Sequence, residues 1–565
     1  MYISNYRRKC EAVFLIFFIF LLLCVGRLLF IQFFRSDYLI SLAKKQHNQL
    51  VELEPRRGAI YDCNLKAQAF NMSMDSLYAV PNVIKNKESV ISQLQPILGV
   101  ERGYLTERIN RKKSFIWLVR KITPEKSQEI KVLNIKGLGF MKETKRIYPN
   151  SYLASHVIGF SGMDNIGLEG VERSFNNYLK GTPGWAIFLR DARLKKLDIW
   201  EKMVLPQDGM DLVLTIDEVI QYIAERELDK AFKKSRAKGA SIVVMDPHTG
   251  RILAMANRPT YDLNDHSGVS KDSMRNRAIC DLFEPGSVFK IVTASAALEE
   301  KKVTESDVIF CENGAYPVAG RILHDHTAHG NLTFKQVIEE SSNIGTVKVA
   351  QLLGPDTVYR YLKAFGFGAK LGVDLSGEIS GLIIPVRSWS KSSIINIPMG
   401  QGVGVTALQL VSAISVIANG GQLMKPYIID SVRDNQGRII KQNKPVLIRK
   451  VISVDTAMRI KKILTGVIEE GTGRLAKVLG FSAAGKTGTA QKLEANGTYS
   501  HDKFIASFIG FAPAEDPLLA VVVTVDEPRG SYYGGVVAAP VFQKVAGDVI
   551  RYLKGNQIPM EAMEQ

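Results

Sequence analysis

The run from Ala12 to Phe34, AVFLIFFIFLLLCVGRLLFIQFF, constrains this chain most, because it is apolar throughout except for Arg27 and Gln32. As a helix rising about 1.5 Å per residue it reaches roughly 34 Å, enough to cross a hydrocarbon layer of about 30 Å with slight tilt. The basic leader Arg7, Arg8 and Lys9 would also suit a cleaved signal peptide. The run is longer than a signal core, however, and QFFRSDYL offers no small-residue cleavage site, so the reading is an uncleaved anchor. Residues 1–11 are then a cytoplasmic tail, residues 12–34 the membrane anchor, and everything after Arg35 is exported. No second run approaches this length, which predicts a single-pass protein of the cytoplasmic (inner) membrane with its bulk outside.

A chain of 565 residues, 46% hydrophobic and 23% charged, has the composition of packed globular structure and the length for two or more domains. Its formal charge of +17 is spread along the exported part, and no zinc-finger or RNP pattern accompanies it. That distribution argues for anionic headgroups or an anionic polymer outside the membrane, and against nucleic acid. Five cysteines are too few and too scattered for a disulfide framework, and sequence leaves open whether Cys280 and Cys311 pair.

From 35 to 208 the chain is rich in Lys and Arg, has short apolar alternations such as SFIWLV, and lacks clustered catalytic side chains; it reads as a structural pedestal domain. LPQDGMD, from Leu205 to Asp211, marks the boundary to a second domain, 209–565. There Thr215 is the expected cap of a helix with acids early and lysines late. ASIVVMDPHTGRILAMAN reads as two strands about a turn, and KFIASFIGFAP and LLAVVVTVDEP as two more. Between them, from about Ala278 to Leu475, helical periodicities dominate, as in FKIVTASAALEE and VTALQLVSAISVIANGG. The order predicts an α+β domain: an antiparallel sheet with strands from both ends of the sequence and a helical insertion between.

GFSAAGKTGTAQ, Gly480 to Gln491, satisfies the phosphate-loop pattern, yet Gly488 and Thr489 are poor helix residues and Asn496-Gly497 is a hairpin signal. Lys486 is thus expected on a strand that turns back on itself. Lys486 and Gly488 then face one way, and Thr487 and Thr489 the other. A strand of Gly, Thr and Ala bearing one lysine admits an extended peptide and offers its carboxylate a cation.

The reactive partner is expected in FEPGSVFKIVTASAALEE, where a helix starts at about Ser287 and Lys290 lies about one turn on. Ser341 and Asn343 open another helical pattern in EESSNIGTVKVAQLL. Taken singly, Ser287, Ser341 and Asn343 are ordinary capping residues. Ser-x-x-Lys, Ser-x-Asn and Lys-Thr-Gly in this order, however, are the motif set of penicillin-binding proteins and serine β-lactamases. EPRRGAIYD, RIYPN, GLEGVE, GQGVGVTALQ and YYGGVVAAPVF extend the resemblance over nearly the whole chain. The sequence resembles a class B penicillin-binding protein, most closely the septal, cell-division branch.

That resemblance implies an elongated mixed pedestal of the dimerisation type and a transpeptidase domain with a five-stranded antiparallel sheet flanked by helices. It implies that Ser287 acylates on the penultimate D-Ala of a peptidoglycan stem peptide and that a second stem peptide's amine resolves the ester. Lys290 would be the base, with burial and the neighbouring cation Lys486 depressing its pKa, since an ordinary lysine is only about 0.04% neutral at pH 7. Ser341 would relay the proton to the departing amine, and Asn343 would orient Lys290 and the substrate amide. Lys486, Thr487 and Thr489, on the strand that includes Gly488, would bind the substrate carboxylate, and the amides of Ser287 and Thr489 would form the oxyanion hole. No cofactor or metal is implied. The partners implied are the lipid-linked precursor, β-lactams as covalent inhibitors, a membrane peptidoglycan glycosyltransferase and other division proteins.

Three other readings bear on the same residues. A β-lactamase is disfavoured because the middle motif reads Ser-Ser-Asn and no Glu-x-x-Leu-Asn segment follows. A D,D-carboxypeptidase differs only in the nucleophile that deacylates, and a scaffold activating a glycosyltransferase would use the pedestal around Arg56 and Arg57. His324, His326 and His329 lie close together in LHDHTAH, but no fourth metal ligand is apparent; Asp325 there matches an acidic position common in the family.

Overall fold

The computed structural model describes residues 2–113, 115–190, 196–494 and 497–555. They form two compact units, Met1–Arg56 with Gly181–Asp208, and Arg57–Lys180 with Gly209–Gln565.

The first unit opens with helix α1 (Tyr2–Phe34), which contains the expected anchor and starts before it. Its segment Tyr6–Phe34 has a mean hydropathy of 2.9 and is long and apolar enough to cross a membrane. A second helix, Ser36–His47, leads into the strand Asn48–Leu53. That strand pairs antiparallel with Gly184–Arg190, which pairs in turn with Lys196–Val204.

In the second unit, β1 (Ala67–Ala79) and β2 (Leu138–Ile147) run antiparallel from Phe70↔Ile147 to Ala79↔Leu138. Three short helices bury Ile91, Leu94, Leu105, Ile109 and Ile130 against Leu77 and Leu118. At the opposite end of β2, three of the quoted sequence motifs meet in a buried ionic knot. The Arg57 guanidinium donates from Nε to Glu172 Oε2 at 2.7 Å, and Arg146 donates from Nε to Glu172 Oε1 at 2.7 Å. Tyr148 donates to the same Glu172 oxygen at 3.2 Å, and Arg57 also reaches Asn165 O and Asn176 Oδ1, each at 2.8 Å.

Helix α2 (Glu218–Ser235) is capped by Asp217, whose carboxylate accepts from Val219 N at 2.8 Å and Ile220 N at 3.1 Å. The sequence reading placed the cap at Thr215. That residue instead stays with the preceding strand: its N–H donates to Ile428 O, and its hydroxyl to Ile252 O at 2.7 Å. After α2 come the antiparallel strands β3 (Gly239–Met245) and β4 (Ile252–Arg258). The insertion carries α3 (Lys290–Glu299), α4 (Asn343–Leu353) and α5 (Ala407–Ala418), together with small hairpins such as Ala315–Val318 with Arg321–His324. The chain then returns as β5 (Ala484–Leu493), β6 (Tyr499–Ala512), β7 (Leu519–Asp526) and the closing helix α6 (Ala539–Gly555).

The resulting five-stranded sheet has the order β4-β3-β7-β6-β5, every neighbour antiparallel. Alternation sorts its apolar strands onto two faces. Ile242, Val244, Val521 and Val523 pack with Ile220 and Leu228 of α2 and with Phe542 and Val545 of α6. Val243, Met245, Val522 and Ile509 join the larger core that holds Leu408, Val411 and Ile414 of α5. Helix α5 is buried along its whole length, which is why its sequence is apolar on every side. Mixed α+β architecture with strands from both ends of the domain is thus present as expected.

Asn496 of the expected hairpin turn lies outside the described residues. Gly497 has φ +82° and its N–H donates to Glu494 O at 2.9 Å, and β5 pairs with β6 out to Leu493↔Tyr499. Lys486 therefore sits on a strand that folds back, and no helix follows it. Cys280 and Cys311 are both free thiols.

Candidate active site

Ser287 lies in a single tight turn of 3-10 helix, Gly286–Phe289, that runs straight into α3 at Lys290. Gly286 makes the turn possible: its φ is +59°, and a Cβ there would lie 3.0 Å from Thr489 O on β5. Gly488 has the complementary role on the strand, where a Cβ would meet Ser507 Oγ at 2.4 Å and Val288 Cγ1 at 2.8 Å. Two glycines thus let the serine turn and the edge strand touch backbone to backbone.

Lys290 is fully buried, and its Nζ donates to Ser341 O at 2.6 Å, Asn343 Oδ1 at 2.8 Å and Ser341 Oγ at 3.3 Å. Lys486, equally buried, donates to the same Ser341 Oγ at 2.8 Å. Burial pulls the Lys290 amine down to about 7, and the carboxylate of Asp325 opposes that fall. Lys486 is held well below the ordinary lysine value by burial and by the charge of Lys290. Desolvation is thus the leading cause at both lysines.

Ser341 has φ +61°, a left-handed conformation that costs a non-glycine residue about 1–3 kcal/mol unless its surroundings hold it. Its surroundings do. The helix cap is Ser342, between the two residues read as caps from sequence; Ser342 Oγ accepts from Gly345 N at 3.0 Å, and Asn343 is the first residue of α4. Asp325, at the end of the hairpin strand Arg321–His324, accepts from Asn343 N at 2.5 Å, Ile344 N at 3.0 Å and Ser342 Oγ at 2.6 Å. Asn343 Nδ2 donates to His324 O at 3.1 Å, which leaves Oδ1 directed at Lys290.

On the other wall, β5 is an edge strand. The hydroxyls of Thr487 and Thr472 share a hydrogen bond at 2.9 Å, and Thr489 Oγ1 accepts from Gly534 N at 3.0 Å. The cleft between the walls has a volume of about 820 Å³ and is lined by Ser287, Ser341, Asn343, Thr487, Gly488 and Thr489. Lys290 and Lys486 lie beneath its floor. All eight residues singled out in the sequence are thus brought together, six facing the cleft and two amines below it.

Some of the cleft had no signal in the sequence. Thr472 is a lone threonine between two glycines, and Phe504 sits in an ordinary strand, yet both line the cleft. Phe504 stacks on Tyr532 at 4.1 Å between centroids, Tyr532 meets Tyr533 at 4.5 Å, and Tyr533 stacks on His326 at 5.3 Å. His326 thereby belongs to an aromatic row. Among the described residues, no group of three or more His, Cys, Asp or Glu side chains is arranged to hold a metal.

Comparison with known proteins fits this geometry. Residues 240–547 match the penicillin binding protein transpeptidase domain, and residues 52–214 match the penicillin-binding protein dimerisation domain. The chain is 39% identical over 576 aligned residues to stage V sporulation protein D of Bacillus subtilis, covering 99% of this chain and 88% of that protein. It is 32% identical to the peptidoglycan D,D-transpeptidase FtsI of Escherichia coli, covering 93% and 89% of the two chains. Among solved structures it is similar to penicillin binding protein 3 of Mycobacterium tuberculosis in complex with aztreonam, with a TM-score of 0.70, 30% identity, and coverage of 89% and 97%. A serine turn, two buried lysines and an edge strand in one cleft, together with matches over nearly the full length, place this chain in the class B penicillin-binding proteins, a dimerisation domain joined to a transpeptidase domain.

Proposed function

We propose that the protein is a serine-type peptidoglycan D,D-transpeptidase that cross-links stem peptides through an acyl-enzyme on Ser287. The observation that carries this reading is the convergence of Lys290 and Lys486 on one hydroxyl, Ser341 Oγ, at the floor of a cleft that also holds Ser287. Two amines with depressed affinity for protons, joined by a hydroxyl, can take a proton from one side of the cleft and return it on the other.

In this reading the substrate is an extended D-Ala-D-Ala end lying along the edge strand β5, whose free side offers backbone hydrogen bonds. Thr487 and Thr489 hydroxyls receive its carboxylate, with the Lys486 amine beneath them, whose protonated form the incoming negative charge favours. A neutral Lys290 keeps two N–H bonds, to Ser341 O and Asn343 Oδ1, and its lone pair takes the Ser287 proton. Ser287 Oγ bonds to the penultimate carbonyl carbon while the amides of Ser287 and Thr489 stabilise the oxyanion; loss of one such donor costs about 10²- to 10³-fold in rate. The C–N bond then breaks, Ser341 gives its proton to the departing D-Ala amine, and the amine below re-protonates Ser341. An acceptor amine from a second stem peptide reverses the sequence and forms the cross-link.

The role proposed is in septal wall synthesis. The membrane helix holds the 209–565 transpeptidase domain outside the cytoplasmic membrane, and the 35–208 pedestal serves a membrane glycosyltransferase and other division proteins. The relatives support wall synthesis generally, one of them being the E. coli FtsI transpeptidase. A second reading, wall synthesis during sporulation, is favoured by the higher identity to stage V sporulation protein D. Fluorescent penicillin should label the protein covalently, and Ser287→Ala should abolish labelling; a fully labelled variant would falsify the nucleophile assignment. Complementation of strains lacking the division or the sporulation relative separates the two roles, and rescue by Ser287→Ala would make the protein a scaffold.

A further inference from the structure

Serine acyltransferases with the three-motif arrangement commonly carry an aspartate in the middle motif, Ser-Asp-Asn. Here the middle residue is Ser342, too short to reach all the groups around it. Its hydroxyl caps Gly345 N only, at 3.0 Å, which leaves the amides of Asn343 and Ile344 to find other acceptors. They find the carboxylate of Asp325, which lies outside the motif on the neighbouring hairpin and takes both amides and the Ser342 hydroxyl at 2.5, 3.0 and 2.6 Å. The preceding residue of the hairpin completes the clamp, His324 O accepting from Asn343 Nδ2 at 3.1 Å.

We propose that Asp325 is a positioning residue of this site, supplying from the hairpin the carboxylate that the middle motif lacks and holding Ser341 and Asn343 against Lys290. The inference rests on the acyl-enzyme reading given above. Two consequences follow from its contacts. Geometrically, three hydrogen bonds to consecutive residues keep Ser341 in its left-handed conformation and aim Asn343 Oδ1 at the amine. Electrostatically, Asp325 sets an upper limit on how far burial can discharge Lys290, because its negative charge favours the protonated amine. Lys486 of β5 is the other buried amine beside Lys290, and the charge of Lys290 adds to burial in holding Lys486 low. The cleft mouth adds His324, His326, Glu340 and Arg474, all exposed, while the Ile397–Met399 turn beside α3 has no charged residue.

The test is the second-order rate of acylation by a fluorescent penicillin, measured from pH 5 to 9 on the full chain in detergent. Asp325→Asn keeps an oxygen for the two amides and removes the charge, so the rising limb of the profile should move to lower pH, by about one unit. Asp325→Ala loses the clamp as well and should be slower at every pH, by tenfold or more. The double variant Asp325→Asn with Ser342→Asp returns a carboxylate to the first turn of α4 and should restore both rate and limb, which a purely structural defect would not do. An Asp325→Asn limb that stays in place or moves up overturns the proposal, as does a wild-type rate in Asp325→Ala. Should Asp325→Asn fail to fold, the double variant decides alone: no recovery of labelling sinks the idea. Labelling of Ser287→Ala in the same assay would instead sink the acyl-enzyme reading and leave the Asp325 clamp without a reaction to serve.

Discussion

A lysine that must accept a proton is useful only where it is neutral, and Lys290 sits at about 7 because burial disfavours its charge. The sign of the pH dependence follows. Below pH 7 the amine is protonated, so acylation should fall about tenfold per pH unit; above pH 7 it should level off. Replacing Lys290 by methionine should remove the rising limb together with nearly all labelling. Gly488→Ala tests the contact between strand and serine turn: its Cβ would fall 2.4 Å from Ser507 Oγ and 2.8 Å from Val288 Cγ1. It should cost about 1–3 kcal/mol in urea unfolding and slow acylation by more than tenfold. At this scale the sequence was legible where chemistry recurs at short spacing, as with Ser287 and Lys290 one turn apart. Thr472 was not legible, because its bond to Thr487 joins segments that sequence alone does not relate. Ser342 was misjudged for a different reason: three neighbouring residues, Ser341 to Asn343, are all good caps, and only the backbone decides which one acts.

Elements repeat that lesson at larger spacing. Thr215 and Asp217 both suit an N-cap, and the strand's hydrogen bond from Thr215 N to Ile428 O settles the competition in favour of Asp217. Asp217→Ala should therefore lower the stability of the α2 region by about 0.5–2 kcal/mol in urea unfolding, whereas Thr215→Val should disturb the sheet and leave the cap in place. Penicillin labelling of the folded Asp217 variant should be unchanged, since α2 packs on the sheet face away from α5. Strands β3, β6 and β7 were readable from length and composition because burial on both faces demands unbroken apolar runs. The small hairpin ending at His324 was not, since its strands are short and mostly exposed, and its role comes from the carboxylate that follows it.

At the scale of the whole molecule, the motifs quoted from the pedestal acquire a common physical meaning: Arg57, Arg146 and Glu172 come from three separate stretches and meet in the interior, where two guanidiniums share one carboxylate. Removing the one anion of a buried ionic group leaves its cations uncompensated, so Glu172→Ala should cost about 3–5 kcal/mol, read as a lower Tm of the full chain. Resemblance made these stretches visible; their meeting point was not, because nothing in a sequence states which distant charges share a cavity. The sheet carries a consequence of another kind. Its first two strands end at Arg258 and its remaining three begin at Ala484, so the pairing of β3 with β7 closes a very long loop. Long-range pairing of this sort is slow and comes late. A growing chain thus has its serine long before it has a cleft, and a chain stopped at Leu479 should take up no penicillin at all. Covalent drug capture, on this topology, is a timestamp: it marks only those chains that have finished being made.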